Sequence, residues 1–171
     1  MTELLGIVER MNELNPALID AINRIKRQEE QLVFNAFNAQ TAFDIGCALI
    51  ESAQRDQVAY AINISLNRRQ LFHFSMDGCV PDNDSWLRRK ENTVYHFHKS
   101  SMRVALEFRL SGEGFHSTYG LSPEGFANSG GSFPINIKGT GVVGAITVSG
   151  LPEEIDHNYV VEAVTAYLDK H

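Results

Sequence analysis

Apolar and polar residues alternate along the chain with two distinct periods, and the switch between them lays out the elements. The first 29 residues follow a helical period. Leu4, Leu5, Val8 and Met11 share one face and Leu18, Ile22 and Ile25 another, so two helices are expected, divided at Asn15-Pro16. Gln31 to Phe37 reads as a short strand. From Thr41 the helical period returns, with Ala42, Ile45, Leu49 and Ala53 inward, and Gly46, Cys47 and Ala48 keep the middle of this helix thin.

Period two then takes over. Tyr60, Ile62, Ile64 and Leu66 alternate with Ala61, Asn63 and Ser65, Asn67-Arg68 turns the chain, and Phe72, Phe74 and Met76 return on one face. Pro81 to Ser85 is a loop leading into a helix from Trp86 to about His98. In residues 101–110 the two periods compete. Met102, Val104, Leu106, Phe108 and Leu110 alternate as in a strand, yet Ser100 is a good helix cap. Ser122-Pro123-Glu124 opens a single helical turn that ends by Gly130.

The longest ordered β signal runs from Gly130 to Pro152. Phe133, Ile135 and Ile137 alternate with Ser132, Asn136 and Lys138; Gly139-Thr140-Gly141 is turn chemistry; Val142 to Val148 is apolar on both faces, as a central strand is. A last helix from about Glu154 turns Val160, Val161, Val164 and Leu168 inward. The tally is five strands, two hairpins and one more, with helices between.

Composition sharpens this reading. With 171 residues, 43% of them hydrophobic and 21% charged, the chain has the make-up of an ordinary globular domain. A formal charge of −6 argues against nucleic acid and anionic membrane as partners, since both would repel it. No apolar run approaches the roughly 20 residues of a membrane span. The start, MTELLGIVER, lacks the features of a signal peptide, and Cys47 and Cys79 read as buried thiols, so a reduced, cytoplasmic setting is expected.

The block GGSFPI followed by GVVGAITVSGLP resembles the GlcG/HbpS-like family, associated with haem degradation, and within it a branch of short stand-alone proteins. That resemblance covers roughly residues 40–170. It implies an α/β (α+β) sandwich of profilin- or PAS-like shape, with a five-stranded antiparallel sheet flanked by helices. It also implies a helix over 101–110, haem as the type of ligand, and a homo-oligomer. Residues 1–30 then form a helical extension ahead of a single domain at 31–171.

Candidate chemistry centres on NDSWLRRKENTV, a run that looks like a hallmark of the branch. Arginine forks hold carboxylates in two-point contact, and Trp86 offers a face for stacking a ring. Trp86, Arg89 and Lys90, with the Gly130-Gly131 amides and Phe133, are therefore the candidate site for a planar anionic molecule such as haem. The competing reading gives these residues structural work: a solvated, self-paired helix face, and two glycines where elements pack too closely for a Cβ. His96 and His98 are candidate single axial haem ligands or plain helix-end histidines. Two apart on a helix, they point about 200° away from each other and cannot share a metal. No zinc or calcium spacing is present, and Gly139 to Gly144 matches GxGxxG only in letters, because it opens no helix. Besides a haem-type binding module, two functions stay open: an oligomeric interaction scaffold without catalysis, and an enzyme holding a carboxylate substrate on the basic cluster.

Overall fold

The computed structural model describes the side chains of residues 16–171 and the backbone of the first helix from Thr2. The elements in order are α1 (Thr2–Gln31), α2 (Ala39–Asp56), β1 (Ala61–Leu66), β2 (Arg69–Ser75), α3 (Pro81–Phe97), α4 (Ser101–Ser111), α5 (Phe115–Tyr119), β3 (Ser132–Ile137), β4 (Gly141–Ser149) and α6 (Glu153–Leu168). The strands make one antiparallel sheet in the order β2-β1-β4-β3. β4 is internal, paired on both sides and covered on both faces, as its two-sided apolar run requires.

The sheet has four strands among the described residues, not five. Residues 31–37 touch it through one parallel bridge, in which Phe34 N donates to Asn136 O at 2.8 Å and Lys138 N to Phe34 O at 2.9 Å. Helix α1 runs to Gln31 and Asn38 already caps α2, which leaves too little chain for a strand. Leu32, Phe34 and Phe37 are buried anchors rather than one face of a ladder. The expected break at Asn15-Pro16 is also absent, since α1 carries Pro16 inside it. Proline fixes φ at a helical value, so here it removes a bond without ending the helix. The face expected of Leu4, Leu5, Val8 and Met11 lies outside the described residues.

Two helix starts differ from the expected ones. α2 is capped by Asn38, whose Oδ1 accepts from Thr41 N at 3.0 Å while Asn38 N donates back to Thr41 Oγ1. α3 begins at Pro81, five residues before Trp86, with Asp82 and Asp84 in its positively polarised first turn. α4 is a helix, capped by Ser100 and ended by Gly112. Its strand-like alternation has a packing cause. Met102 and Leu106 pack on Ile22 and Ile25 of α1, while Val104 and Phe108 pack on Phe115 and Leu121, so two opposite sides are buried. Residues 122–126 form only a turn, closed by Gly125 and Phe126 N–H donating to Ser122 O.

The two faces of the sheet differ in character. On one, Ile62, Ile64, Phe133, Ile135, Ile146 and Val148 form the main core with α2 and α6. On the other, under α3, lie Asn63, Ser65, Ser132 and Thr147, all buried. Burying hydroxyls and amides costs free energy unless each finds a partner, and here most do. Ser132 Oγ and Thr147 Oγ1 bond each other at 2.7 Å, and Asn63 and Ser65 reach up to α3. The seam between this polar face and α3 is where chemistry can be placed.

Candidate functional site

Helix α3 carries the expected site residues, and the structure divides them. Lys90 turns inward. Its side chain is 4% exposed and its ammonium donates to Asp156 Oδ2 at 2.8 Å and to Val148 O at 3.3 Å. Asp156, wholly buried at the start of α6, also accepts from the Gly150 and Leu151 amides. Burial pushes its carboxyl up, against the opposing pull of Lys90 and those amides. Gly131, at φ 123°, lies directly over this pair. A Cβ there would sit 2.6 Å from Val148 O and 2.8 Å from Lys90 Nζ. At Gly130 a Cβ would meet Met102 Sδ and Glu153 O, and its N–H already donates to Glu153 Oε2. Close packing thus accounts for both glycines.

Trp86 and Arg89 satisfy each other. The Arg89 guanidinium lies 4.0 Å from the Trp86 ring centre, its Nε donates to Ser85 O, and the indole N–H donates to Asp82 Oδ2. Trp86, Lys90 and Ser129 line a polar cleft of about 250 Å³, below the range of about 300–1,000 Å³ typical of small-molecule sites. Phe133 is wholly buried in the main core and offers nothing to a ligand. His96 is exposed, edge-on to Phe97 and Phe126. His98, at a left-handed helix end, borders a different cleft with Lys26, Glu29 and Arg103. The two histidines therefore face separate surroundings, as their spacing requires. Among the described residues no cluster of His, Cys, Asp and Glu could hold a metal ion.

A larger cleft, about 480 Å³, opens on the other flank of α3, over the β1–β2 hairpin. Strand β1 provides its floor. Asn63 Nδ2 and Ser65 Oγ each donate to the Glu91 carboxylate at 2.7 Å, Gln70 Nε2 donates to Asn63 Oδ1, and Tyr95 OH bonds Ser65 Oγ at 2.9 Å. A bulge at Leu71 turns Gln70 and His73, three apart, onto this same face: Ile64 pairs with Phe72, but Ser65 pairs with Gln70. His73 Nε2 stands 3.5 Å from Asp84 Oδ1 at the start of α3. Arg68 and Arg88 flank the cleft. Arg68 lies over the Tyr95 ring and bonds Asn92 Oδ1, while Arg88 reaches only Glu124 O, at 3.5 Å. Among the described residues neither has a carboxylate within 4.0 Å. The cleft thus presents two guanidinium groups without a carboxylate partner, an imidazole and a rigid hydrogen-bonded floor that holds the Glu91 carboxylate, with Asp84 at its edge.

Of these residues only Arg88 belonged to the expected basic cluster, and it was not among the residues singled out for binding. The one hint in the sequence was the off-core face of β1, where Asn63 and Ser65 sit between fully apolar neighbours.

An antiparallel sheet backed by helices, with a cleft under its third helix, defines a class rather than a reaction. Residues 37–165 match the family model described as haem degrading protein HbpS-like, and the chain belongs to that family. A UPF0303 protein of Rhizobium etli is 44% identical over 153 residues, covering 90% of this chain and 93% of that one. A UPF0303 protein of Streptomyces coelicolor is 40% identical over 147 residues, covering 86% and 93%. Among solved structures, the Ybr137w protein superposes with a TM-score of 0.80 at 25% identity, covering 87% of this chain and 88% of that one. The PduOC:heme complex does so at 0.66 and 17% identity, covering 77% of this chain and 94% of that one. The last likeness speaks to the fold alone.

Proposed function

We propose that the protein binds a planar anionic small molecule, of which haem is the kind its family points to, in the cleft between α3 and the β1–β2 hairpin. The observation that carries this reading is the pair Arg68 and Arg88, guanidinium groups without carboxylate partners on a cleft of about 480 Å³. Both arginines are exposed beside the cleft, free to turn a guanidinium fork onto the acid of a ligand. His73 on the β2 wall supplies an imidazole for a metal centre carried in by the ligand. Two further lines support the reading: membership of the HbpS-like family, and a structural neighbour solved with haem. Relative to the sequence-based expectation, the ligand moves from the Gly130 side of α3 to its hairpin side. There the guanidinium groups have no carboxylate partner, whereas Lys90 is held by Asp156.

The test is titration with haemin, followed by its visible band and by the fluorescence of Trp86, the single tryptophan of the chain. Saturable binding is expected. Arg88→Ala should weaken it by about tenfold to a hundredfold, for loss of one charge-assisted contact worth roughly 1.5–3 kcal/mol. Arg89→Ala, which removes a guanidinium committed to Trp86, should leave the affinity within about twofold. The opposite ranking of the two variants would return the site to the Trp86 side. The absence of any saturable change would favour the scaffold reading instead.

A further inference from the structure

Glu91 stands in the same cleft as a carboxylate without a cation. Among the described residues no lysine, arginine or histidine nitrogen lies within 4.0 Å of it. Two chains of donors nevertheless converge on it. In the first, Ser65 gives its one hydroxyl proton to Glu91 Oε1, so the Tyr95 contact must run from the phenol O–H to Ser65 Oγ. Tyr95 Oη in turn accepts from Arg68 N at 3.0 Å. In the second, Gln70 Nε2 donates to Asn63 Oδ1 at 2.6 Å, and Asn63 Nδ2 to Glu91 Oε2. Asn63 and Ser65 are buried under α3, so both chains are fixed in direction. Each ends on the carboxylate, and none leaves it.

A seam between helix and sheet does not need a charge at this point. Asn63 and Ser65 offer two protons, and the oxygen of a neutral glutamine, with two lone pairs, would answer both. A carboxylate has about four acceptor positions, of which two are taken. Glu91 is half-buried and lines the cleft, so the remainder are open to what the cleft holds. The guanidinium groups lie to either side. Arg88 is one turn back on α3, and Arg68 bonds Asn92, the residue after Glu91.

We propose that the ligand is an open-chain tetrapyrrole free of metal, with its propionates on Arg68 and Arg88 and its pyrrole N–H groups on Glu91. The inference rests on the cleft reading above and narrows it. The cleft asks for a molecule that is an acid at its periphery and a hydrogen-bond donor at its centre. Haem meets the first demand and not the second: its four nitrogens are bound to iron and carry no protons, and its acids are repelled by Glu91. A closed ring without metal keeps its N–H groups pointed at one another. Opening the ring at one bridge frees them to converge on an outside acceptor and leaves the propionates in place. The class of reaction that supplies such a ligand is the oxidative opening of a haem-type ring.

The experiment titrates the full chain with biliverdin and with haemin, followed by difference absorbance. The wild type should bind biliverdin at least about tenfold more tightly than haemin. Glu91→Gln should weaken biliverdin by about tenfold or more and erase this preference, with the urea midpoint showing that the variant is folded. The comparison of the two ligands on the wild type needs no variant, so it decides the matter if Glu91→Gln fails to fold. Arg88→Ala should weaken both ligands alike, since both carry propionates. Haemin binding that Arg88→Ala weakens, with biliverdin bound no better than haemin, overturns the inference and leaves the cleft reading standing. An unchanged biliverdin affinity in folded Glu91→Gln overturns it as well. Absence of saturable binding by either ligand overturns both.

Discussion

Replacing Asp156 with alanine is expected to destabilise the protein by roughly 3–5 kcal/mol, read as the shift in the urea midpoint. The reason is what remains behind. Lys90 is buried by α3, β4 and the Gly130-Gly131 segment, and without Asp156 its ammonium keeps a single carbonyl partner, Val148 O. An uncompensated buried charge costs more than the pair contributed. The double change Lys90→Met with Asp156→Leu should therefore be less damaging than Asp156→Ala alone, although both leave the Gly150 and Leu151 amides without their carboxylate acceptor. A double variant as unstable as the single one would mean that the pair does more than neutralise itself.

The second large effect is a loss of stability on acidification. His157 on α6 is buried, its Nε2 faces Gln28 Oε1 of α1 at 3.0 Å, and its Nδ1 has no partner. Burial first, and Arg24 second, push its pKa down to about 4. The folded state therefore disfavours the imidazolium that the unfolded chain forms freely near pH 6.5. Stability from this source is complete above pH 6.5 and falls as the pH drops from 6.5 to 4, by about 3 kcal/mol in all. Below pH 4 both states are protonated and the loss levels off. Urea midpoints at pH 7 and pH 4 should differ by that much more in the wild type than in His157→Gln. A matching pH profile in that variant would show that the loss comes from other groups.

Most of the fold was legible because residue period and burial agree in most elements. Helices α2 and α6 bury one side at helical spacing, the 61–75 hairpin alternates, and β4 is apolar on both faces because it is covered on both. Where a helix is buried on two sides, its pattern misleads. α4 reads as a strand because α1 and α5 claim opposite faces of it. Leu32, Phe34 and Phe37 read as a strand because each is buried for its own reason. The site was harder to see, for a related cause. Lys90 was expected to meet a ligand alongside Trp86 and Arg89, because its actual partner, Asp156, lies 66 residues away. His73 reaches the cleft only because Leu71 bulges, and Arg68 lies in the turn that a sequence reading treats as punctuation. Asn63 and Ser65 were visible as polar residues in an apolar strand. What they signal, a carboxylate on the facing helix, appears only when α3 is laid over β1.

The claim on which the functional account turns is that the ligand occupies the hairpin side of α3. Amide hydrogen exchange of the full chain, with and without saturating haemin, tests it most directly. Added protection is predicted in peptides covering residues 63–73 and 84–92, with residues 129–151 unchanged. Protection confined to 129–151, or to the segment around His96 and His98, would contradict it.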